Sequence, residues 1–256
     1  MSEDFMQVKS AARAMQVVDV LARDPEGLPF ADLQERTGWP RSSIFNLLRT
    51  LVETGHIDFD PRSRCYSVGL RIWEAGQAYS RASNLRRVAQ PLIEAAAETL
   101  QETVQLAILD GLDNIYIGKA DTSHHLRLVS SIGSRLPAHA TGLGKVLLAH
   151  EPESDLRARL QGVELETFTE YTIATVDGLF EELERIREHG YATDHGEYTT
   201  GVFCIAVPVR DRSGVVVAAI SSSVPEPRIN DGLKATMHEV LDDTADRLSD
   251  ALGYIG

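Results

Sequence analysis

Apolar residues recur with a helical period in three stretches near the start of the chain. The first predicted helix ends at the turn 24–27, the second covers 31–37, and the third begins after Pro40. Gly38 is a natural end for the second helix, because helices commonly end on a residue with positive φ. The first helix is expected to bury Ala11, Met15, Val18 and Leu21. The third has the spacing i, i+3, i+4 and i+7 and is expected to bury Ile44, Leu47, Leu48 and Leu51.

A two-stranded hairpin is predicted after the third helix. Ile57 and Phe59 alternate with polar residues, a turn occupies 60–63, and Tyr66 and Val68 lie on the returning strand. Alternation with a period of two on both sides of a turn is typical of paired strands. Three helices followed by a hairpin predict a winged helix-turn-helix, a module that usually contacts the DNA major groove.

The polar side of the third helix carries residue types that contact DNA. Arginines pair with phosphates, an asparagine can pair with adenine, and a phenylalanine can touch a thymine methyl group. Two more arginines near the hairpin tip would reach phosphate or a minor groove. The residues predicted to contact DNA are Arg41, Ser42, Ser43, Phe45, Asn46, Arg49, Arg62 and Arg64. Each one alone is an ordinary surface residue, and only the order of the elements favours DNA binding.

The rest of the chain predicts an α+β domain. Strands are predicted at 104–108, 115–118, 126–129, 202–209 and 215–223. Helices are predicted at 85–99, 142–150, 153–160, 177–189 and 233–252. Strands in hairpin pairs, with helices set apart from them, are typical of an antiparallel sheet covered by helices.

The predicted organisation is a DNA-binding domain over 1–68, a linker helix over 69–83 and a second domain over 84–256. The helical run 70–79 has a large apolar side. That side could form a dimer contact or pack on the hairpin of its own chain, and the sequence leaves both interpretations open.

Composition and charge bear on the predicted contact with DNA. The chain has 256 residues, 43% of them hydrophobic, which suits two modest domains of a globular protein. Its net charge of −13 argues against a polyanionic partner. Between Arg36 and Arg71, however, arginines outnumber acidic residues, so the charge is locally basic where DNA contact is predicted.

The chain lacks an apolar run of membrane-spanning length and begins with acidic residues, so a cytoplasmic protein without a membrane partner is expected. Cys65 and Cys204 are too few and too far apart for a disulfide framework, and both are expected to be reduced and buried.

The segment 139–145 is a candidate anion site. Thr141 is placed to cap the helix that follows, and the glycines on either side of Leu143 let a ligand approach the backbone. Helix N-termini bind anions. A Walker P-loop needs Ser or Thr after its Gly-Lys, and Val146 stands there, so a small carboxylate fits better than a nucleotide.

Small polar residues on the last two strands could form the floor of a pocket or an ordinary strand end. Val202 and Cys204 share one face of their strand, as do Ser221 and Ser223 of the next. The histidines at 124, 125, 139 and 195 show no metal-ligand spacing, and no catalytic motif is present. Neither a metal nor a cofactor is therefore predicted.

Together these residues resemble the IclR family of bacterial transcriptional regulators. In the first domain the resemblance rests on 37–43 and 66–69. In the second it rests on 102–104, 109–111, 116–117, 133–141, 144–145, 190–192, 204–206 and 218–221, in the family's order.

The resemblance implies a winged helix-turn-helix joined by a linker helix to a GAF-like domain with an antiparallel sheet. It implies a regulator, with repressor as the safer expectation, that dimerises, often forms tetramers, and binds a palindromic operator on double-stranded DNA. Its effector would be a small carboxylate-bearing or aromatic metabolite. The effector residues carried over from the family are Leu128, Leu136, Gly142, Leu143, Asp194, Val202, Cys204, Ser221 and Ser223.

Three residues depart from the family pattern. Asn46 stands where the family usually has Arg, Gln34 replaces a small residue, and Leu143 is bulkier than the usual Ala or Ser. The operator and effector of a relative are therefore not transferable.

Two other functions are compatible with the sequence. One is an enzyme acting on a small carboxylate through Asp194, His139 or Cys204. The other is a winged helix used only for protein contacts.

Overall fold

The computed structural model describes residues 8–82, 84–121 and 131–255. These residues form two compact units that divide between Ser83 and Asn84. Among the helices of these described ranges, none combines the length and apolarity needed to cross a membrane.

The N-terminal unit is a winged helix-turn-helix. Its elements are α1 (Lys9–Ala22), β1 (Leu28–Pro29), α2 (Phe30–Thr37), α3 (Arg41–Glu53), β2 (Ile57–Asp60), β3 (Cys65–Val68) and α4 (Leu70–Ala82). The strands form an antiparallel sheet in the order β1-β3-β2. Gly38 ends α2 with a left-handed φ of 66°. The prediction of three helices and a hairpin is confirmed, whereas the two-residue strand β1 was not predicted.

The core of this unit follows the predicted stripe of α3 more closely than that of α1. Ile44, Leu48 and Leu51 are buried, and Leu47 is half-buried. In α1 the buried residues are Val17, Val18 and Leu21. The expectation that Ala11 and Met15 face the core is wrong, because both are exposed. The inward face of α1 is therefore rotated towards Val17 relative to the predicted stripe.

The C-terminal unit is built on one six-stranded sheet. Its strands are β4 (Thr103–Asp110), β5 (Asp113–Ala120), β6 (Arg135–Pro137), β7 (Ala192–His195), β8 (Val202–Arg210) and β9 (Val216–Pro225). Their order is β6-β5-β4-β9-β8-β7, and every neighbouring pair is antiparallel. The short strands β6 and β7 were not predicted, and the predicted strand 126–129 lies outside the described residues.

Helices cover both faces of this sheet. They are α5 (Asn84–Leu100), α6 (Gly142–Ala149), α7 (Glu153–Leu160), α8 (Val176–His189) and α9 (Asp231–Ala251). Ile93 of α5 and Leu241 of α9 pack in one core with Ile220 of β9. Leu143 of α6 and Leu179 of α8 belong to the core of the other face. This arrangement confirms the α+β class with an antiparallel sheet.

The register of the sheet aligns polar residues across neighbouring strands. Asp194 of β7 is paired with Cys204 of β8, and Cys204 is paired with Ser223 of β9. In the next row of the same face, Ser221 is paired with Gln105 of β4. Since alternate residues of a strand share a face, these side chains lie on the side of the sheet covered by α6.

Candidate DNA and ligand sites

The residues predicted to contact DNA lie at the surface of the N-terminal unit. On α3, Ser43 is half-buried, and the others are exposed: Arg41, Ser42, Phe45, Asn46 and Arg49. The guanidinium of Arg41 lies 5.1 Å from the centre of the Phe30 ring, and Arg49 Nε lies 3.6 Å from Glu53 Oε1. Both contacts are at the surface and leave the arginines accessible.

The hairpin tip presents the other two predicted arginines. Arg62 and Arg64 are exposed in the turn between β2 and β3. The carboxylate of Asp60 accepts a hydrogen bond of 2.9 Å from the Arg62 N–H, and this bond, together with those from Ser63, lowers the pKa of Asp60. Arg64 adopts a left-handed φ of 58°. The turn is therefore held by local bonds that keep both arginine side chains at the tip.

A cavity of about 260 Å³ lies in the C-terminal unit. Of the residues carried over from the family, those that line it are Leu136, Gly142, Leu143, Asp194, Val202, Cys204, Ser221 and Ser223. The remaining one, Leu128, lies outside the described residues. Residues that are far apart in the sequence therefore line one cavity.

Other lining residues were not predicted. They are Gln105, Tyr116, Tyr198, Thr199, Thr200, Gly201 and Pro225, whereas Thr141 belongs to the candidate anion segment 139–145. Gln105 alternates with Val104 and Leu106, a pattern that is typical of a solvent-facing residue, so the sequence did not indicate that it is buried. The residues 198–201 belong to neither a helix nor a strand, so no period could indicate them.

Gly142 and Leu143 at the start of α6 line the cavity. Thr141 caps the helix: its Oγ1 accepts a hydrogen bond of 3.0 Å from the Gly144 N–H and donates one of 2.8 Å to Asn114 Oδ1. The N–H groups of Gly142 and Leu143 have no carbonyl one turn earlier in the helix to bond. Together with the positive end of the helix dipole, they form a site suited to an anion.

The row Asp194, Cys204 and Ser223 lines the cavity beside Gly142, since a Cβ on Gly142 would lie 3.7 Å from the Asp194 Cβ and 3.8 Å from the Cys204 Cβ. Cys204 Sγ lies 2.9 Å from Ser223 Oγ, which lies 3.4 Å from Gln105 Oε1. Burial raises the pKa of the Cys204 thiol above its usual range, so the thiol is neutral at physiological pH. Burial also raises the pKa of Asp194 above its ordinary value. The neutral Cys204 thiol and the Ser223 hydroxyl suit binding better than nucleophilic attack.

Comparison with known proteins identifies the chain. Residues 77–250 match the model of the bacterial transcriptional regulator IclR C-terminal domain, and residues 10–61 match the IclR helix-turn-helix domain. The chain belongs to the IclR family.

Individual IclR relatives match along nearly the whole chain. The HTH-type transcriptional regulator XynR of Escherichia coli (strain K12) is 36% identical over 247 residues, covering 96% of this chain and 98% of XynR. The HTH-type transcriptional repressor AllR of Salmonella typhi is 33% identical over 241 residues, covering 94% and 89%.

A solved IclR structure supports the same fold. The IclR homologue of Microbacterium hydrocarbonoxydans, crystallised with 4-hydroxybenzoate, is 26% identical with a TM-score of 0.84 and covers 95% of this chain and 98% of its own. The relatives are DNA-binding transcriptional regulators, so this IclR-family chain is a regulator and not an enzyme.

The structure also separates the residues of the alternative enzyme. Asp194 and Cys204 line the cavity described above, whereas His139 lines a different one, with its Nε2 2.9 Å from the Glu166 carbonyl oxygen. Within the described ranges no cluster of His, Cys, Asp and Glu could hold a metal; His124 and His125 fall outside those ranges. Cys65 and Cys204 are free, but they are half-buried rather than buried as predicted.

Proposed function

We propose that this regulator is a repressor that binds a palindromic operator as a dimer and senses a small organic acid in the C-terminal cavity. The observation that carries the proposal is the start of α6, where Gly142 and Leu143 line the same cavity as the polar row of the sheet. The effector carboxylate would bind the N–H groups of Gly142 and Leu143. Its second polar group would reach Asp194, Cys204 and Ser223.

The shape of the cavity favours an acid with an apolar body. Beside the polar groups, Tyr116, Leu136 and Val202 supply apolar surface. An IclR relative was crystallised with 4-hydroxybenzoate, which is an acid with an apolar ring. Leu143 narrows the space compared with the smaller residue usual in the family, so compact acids are favoured.

The effector proposal predicts that Gly142→Pro weakens acid binding at least tenfold while Gly142→Ala does not. Proline is tolerated at the first helical position and deletes one N–H donor, whereas alanine keeps it. A Cβ at position 142 would lie 3.5 Å from the Ala206 Cβ, an ordinary contact. Thermal shifts with 4-hydroxybenzoate measure the effect, since a ligand at 100 times its Kd stabilises by about 2.7 kcal/mol.

Phenol, which lacks the carboxylate, is the matched control ligand. If phenol stabilised the protein as well as the acid does, the anion site would be wrong. If the purified protein consumed the acid, the enzyme would be favoured over the sensor.

On DNA, we propose that α3 enters the major groove and that a dimer places two copies about 34 Å apart on a palindromic site. Support for a second copy comes from α4, where Leu70 and Trp73, spaced i and i+3, are 64% and 61% exposed. Large exposed apolar side chains on one helix face indicate a contact surface. Two chains per bound duplex, with no tetramer required, is the stoichiometry this proposal expects.

Three substitutions distinguish positioning contacts from base reading. Arg49→Ala and Arg62→Ala are expected to weaken binding at every sequence and to reduce the salt slope by about one each, because they remove phosphate contacts. Asn46→Ala is expected to relax preference at specific bases by about 1–3 kcal/mol. A gel-shift series on operator and scrambled duplexes measures all three. Identical behaviour would contradict the assignment of Asn46, and salt-independent affinity would favour protein contacts alone.

We further propose that the bound acid reorients the helix that begins after Gly69 and so changes the spacing of the two DNA-binding units. Coupling between two sites is reciprocal. Operator DNA must therefore change the affinity for the acid by the same factor by which the acid changes operator affinity. An acid affinity that operator DNA leaves unaltered would show that the two sites are not linked.

A further inference from the structure

One wall of the effector cavity is a loop, residues 196–201, here called the wall segment. Tyr198, Thr199 and Thr200 of this segment line the cavity together with Gly201. The C-terminal end of the wall segment is fixed, because the Glu226 N–H donates a hydrogen bond of 2.8 Å to the Gly201 carbonyl oxygen. The N-terminal end must be held by other contacts, since the segment forms no helix or strand of its own.

Glu197 holds the N-terminal end of the wall segment through its backbone. Its N–H donates a hydrogen bond of 2.8 Å to Asp194 Oδ1, which itself lies in the cavity. Its carbonyl oxygen accepts a hydrogen bond of 2.6 Å from the Thr172 hydroxyl. The residue is buried, so its side chain must find a partner inside the protein.

That partner is Lys145, whose Nζ lies 2.5 Å from Glu197 Oε1. The lysine side chain is 1% exposed, and its ammonium also lies 3.3 Å from Glu182 Oε1 of α8. Glu182 has a second partner of its own, Arg185, at 2.8 Å. Glu197 is therefore the carboxylate that depends on Lys145. A buried ammonium is tolerated only because it is paired in this way.

Lys145 lies on α6, one turn after Gly142, which lines the cavity. The ion pair therefore joins the helix whose first residues line the cavity to the loop that also lines it. Burial raises the pKa of Glu197 to about 7, and the charge of Lys145 acts against that rise. The same charge acts against the rise at Asp194.

We propose that Lys145 is a positioning residue for the effector: its buried ammonium fixes the distance between the start of α6 and the wall segment. This inference rests on the proposed effector function. Lys145 does not line the cavity among the described residues, so it acts through Glu197 and not by contact with the ligand. Without the pair, the wall segment keeps its hydrogen bonds with Asp194, Thr169, Thr172 and Glu226, and none of these four residues belongs to α6.

The test compares three variants of the full chain. Lys145→Met removes the ammonium and keeps the length of the side chain. Lys145→Met/Glu197→Met also removes the carboxylate, so that no uncompensated charge stays buried and the fold is preserved. Arg247→Met is the control, because it removes an ion pair with Asp243 between two exposed side chains.

Two measurements are made on each variant. Amide exchange is followed at positions 197 and 202. In the wild type the Glu197 N–H donates to Asp194 Oδ1, and the Val202 N–H donates to the Thr199 carbonyl oxygen. Affinity is measured with 4-hydroxybenzoate. In both Lys145 variants, exchange at these two amides and the Kd for the acid are expected to rise at least tenfold. The double variant is expected to recover its Tm without recovering either of these properties, and Arg247→Met to behave as wild type.

Wild-type exchange in the double variant would show that Lys145 does not hold the wall segment. Faster exchange with an unchanged Kd would show that the segment takes no part in effector binding. Recovery of affinity together with Tm would reduce Lys145 to a merely structural role. If the wild-type protein bound no acid, the proposed function would fail instead, and the exchange data, which need no ligand, would still decide whether Lys145 holds the segment.

Discussion

Replacing Gly144 by alanine is expected to lower the free energy of unfolding of the C-terminal unit by about 3 kcal/mol or more. A Cβ on Gly144 would lie 2.3 Å from both the Cα and the carbonyl oxygen of Ala138. These are backbone atoms of the 3-10 turn Ala138–Ala140, which is buried against α6, so neither side can yield without displacing the helix. The displacement would also move the N–H groups at the start of α6, and acid binding should be lost with stability.

Urea unfolding followed by circular dichroism measures the loss. Gly142→Ala is the matched control, because it adds the same methyl group two residues earlier in the same helix, where the nearest atom is 3.5 Å away. If Gly144→Ala unfolded at the same urea concentration as Gly142→Ala, α6 would not pack on the turn as closely as described.

Leu48→Ala is expected to lower stability and Phe45→Ala to lower operator affinity, although the two residues lie about one turn apart on α3. Leu48 is 1% exposed, and removing its side chain should cost about 2–5 kcal/mol of stability. Phe45 is 53% exposed, so its removal should change stability by less than about 0.5 kcal/mol. Operator affinity should nevertheless fall in Phe45→Ala, since the ring lies on the surface predicted to contact bases.

Thermal unfolding and gel shifts on the same samples separate the two effects. A Phe45→Ala protein that kept full operator affinity would remove Phe45 from the DNA surface. A Leu48→Ala protein as stable as wild type would contradict the buried side of α3.

The helices and the hairpin of the N-terminal unit were predictable because their periods are long enough to recognise. The stripe on α3 repeats over two turns, and the hairpin alternates on both sides of its turn. The strands Leu28–Pro29, Arg135–Pro137 and Ala192–His195 were not, because each is short and no matching alternation across a tight turn accompanies it. They form because a longer neighbouring strand offers unpaired backbone groups, which is a property of the assembled sheet.

The ligand site was predictable only in part, and chiefly through the family resemblance. Residues such as Asp194 and Ser221 could be placed by matching motifs, and the structure puts them around one cavity. Lys145 could not be assigned, because a lysine in a helix is usually solvated. Its burial depends on Glu182 and Glu197, which lie far along the chain and meet it only after folding.

The single polar row across β7, β8 and β9 has a consequence for how this regulator can diverge. Alternate residues of β8 serve different layers: Cys204 faces the cavity, whereas Phe203 and Ile205 pack in the core with α5 and α9. Mutations at the cavity positions can therefore alter ligand preference without eroding the core on the other face. A few substitutions at alternate positions could change which ligand the cavity accepts, while insertion of one residue in the same strand would exchange the two faces and destroy both.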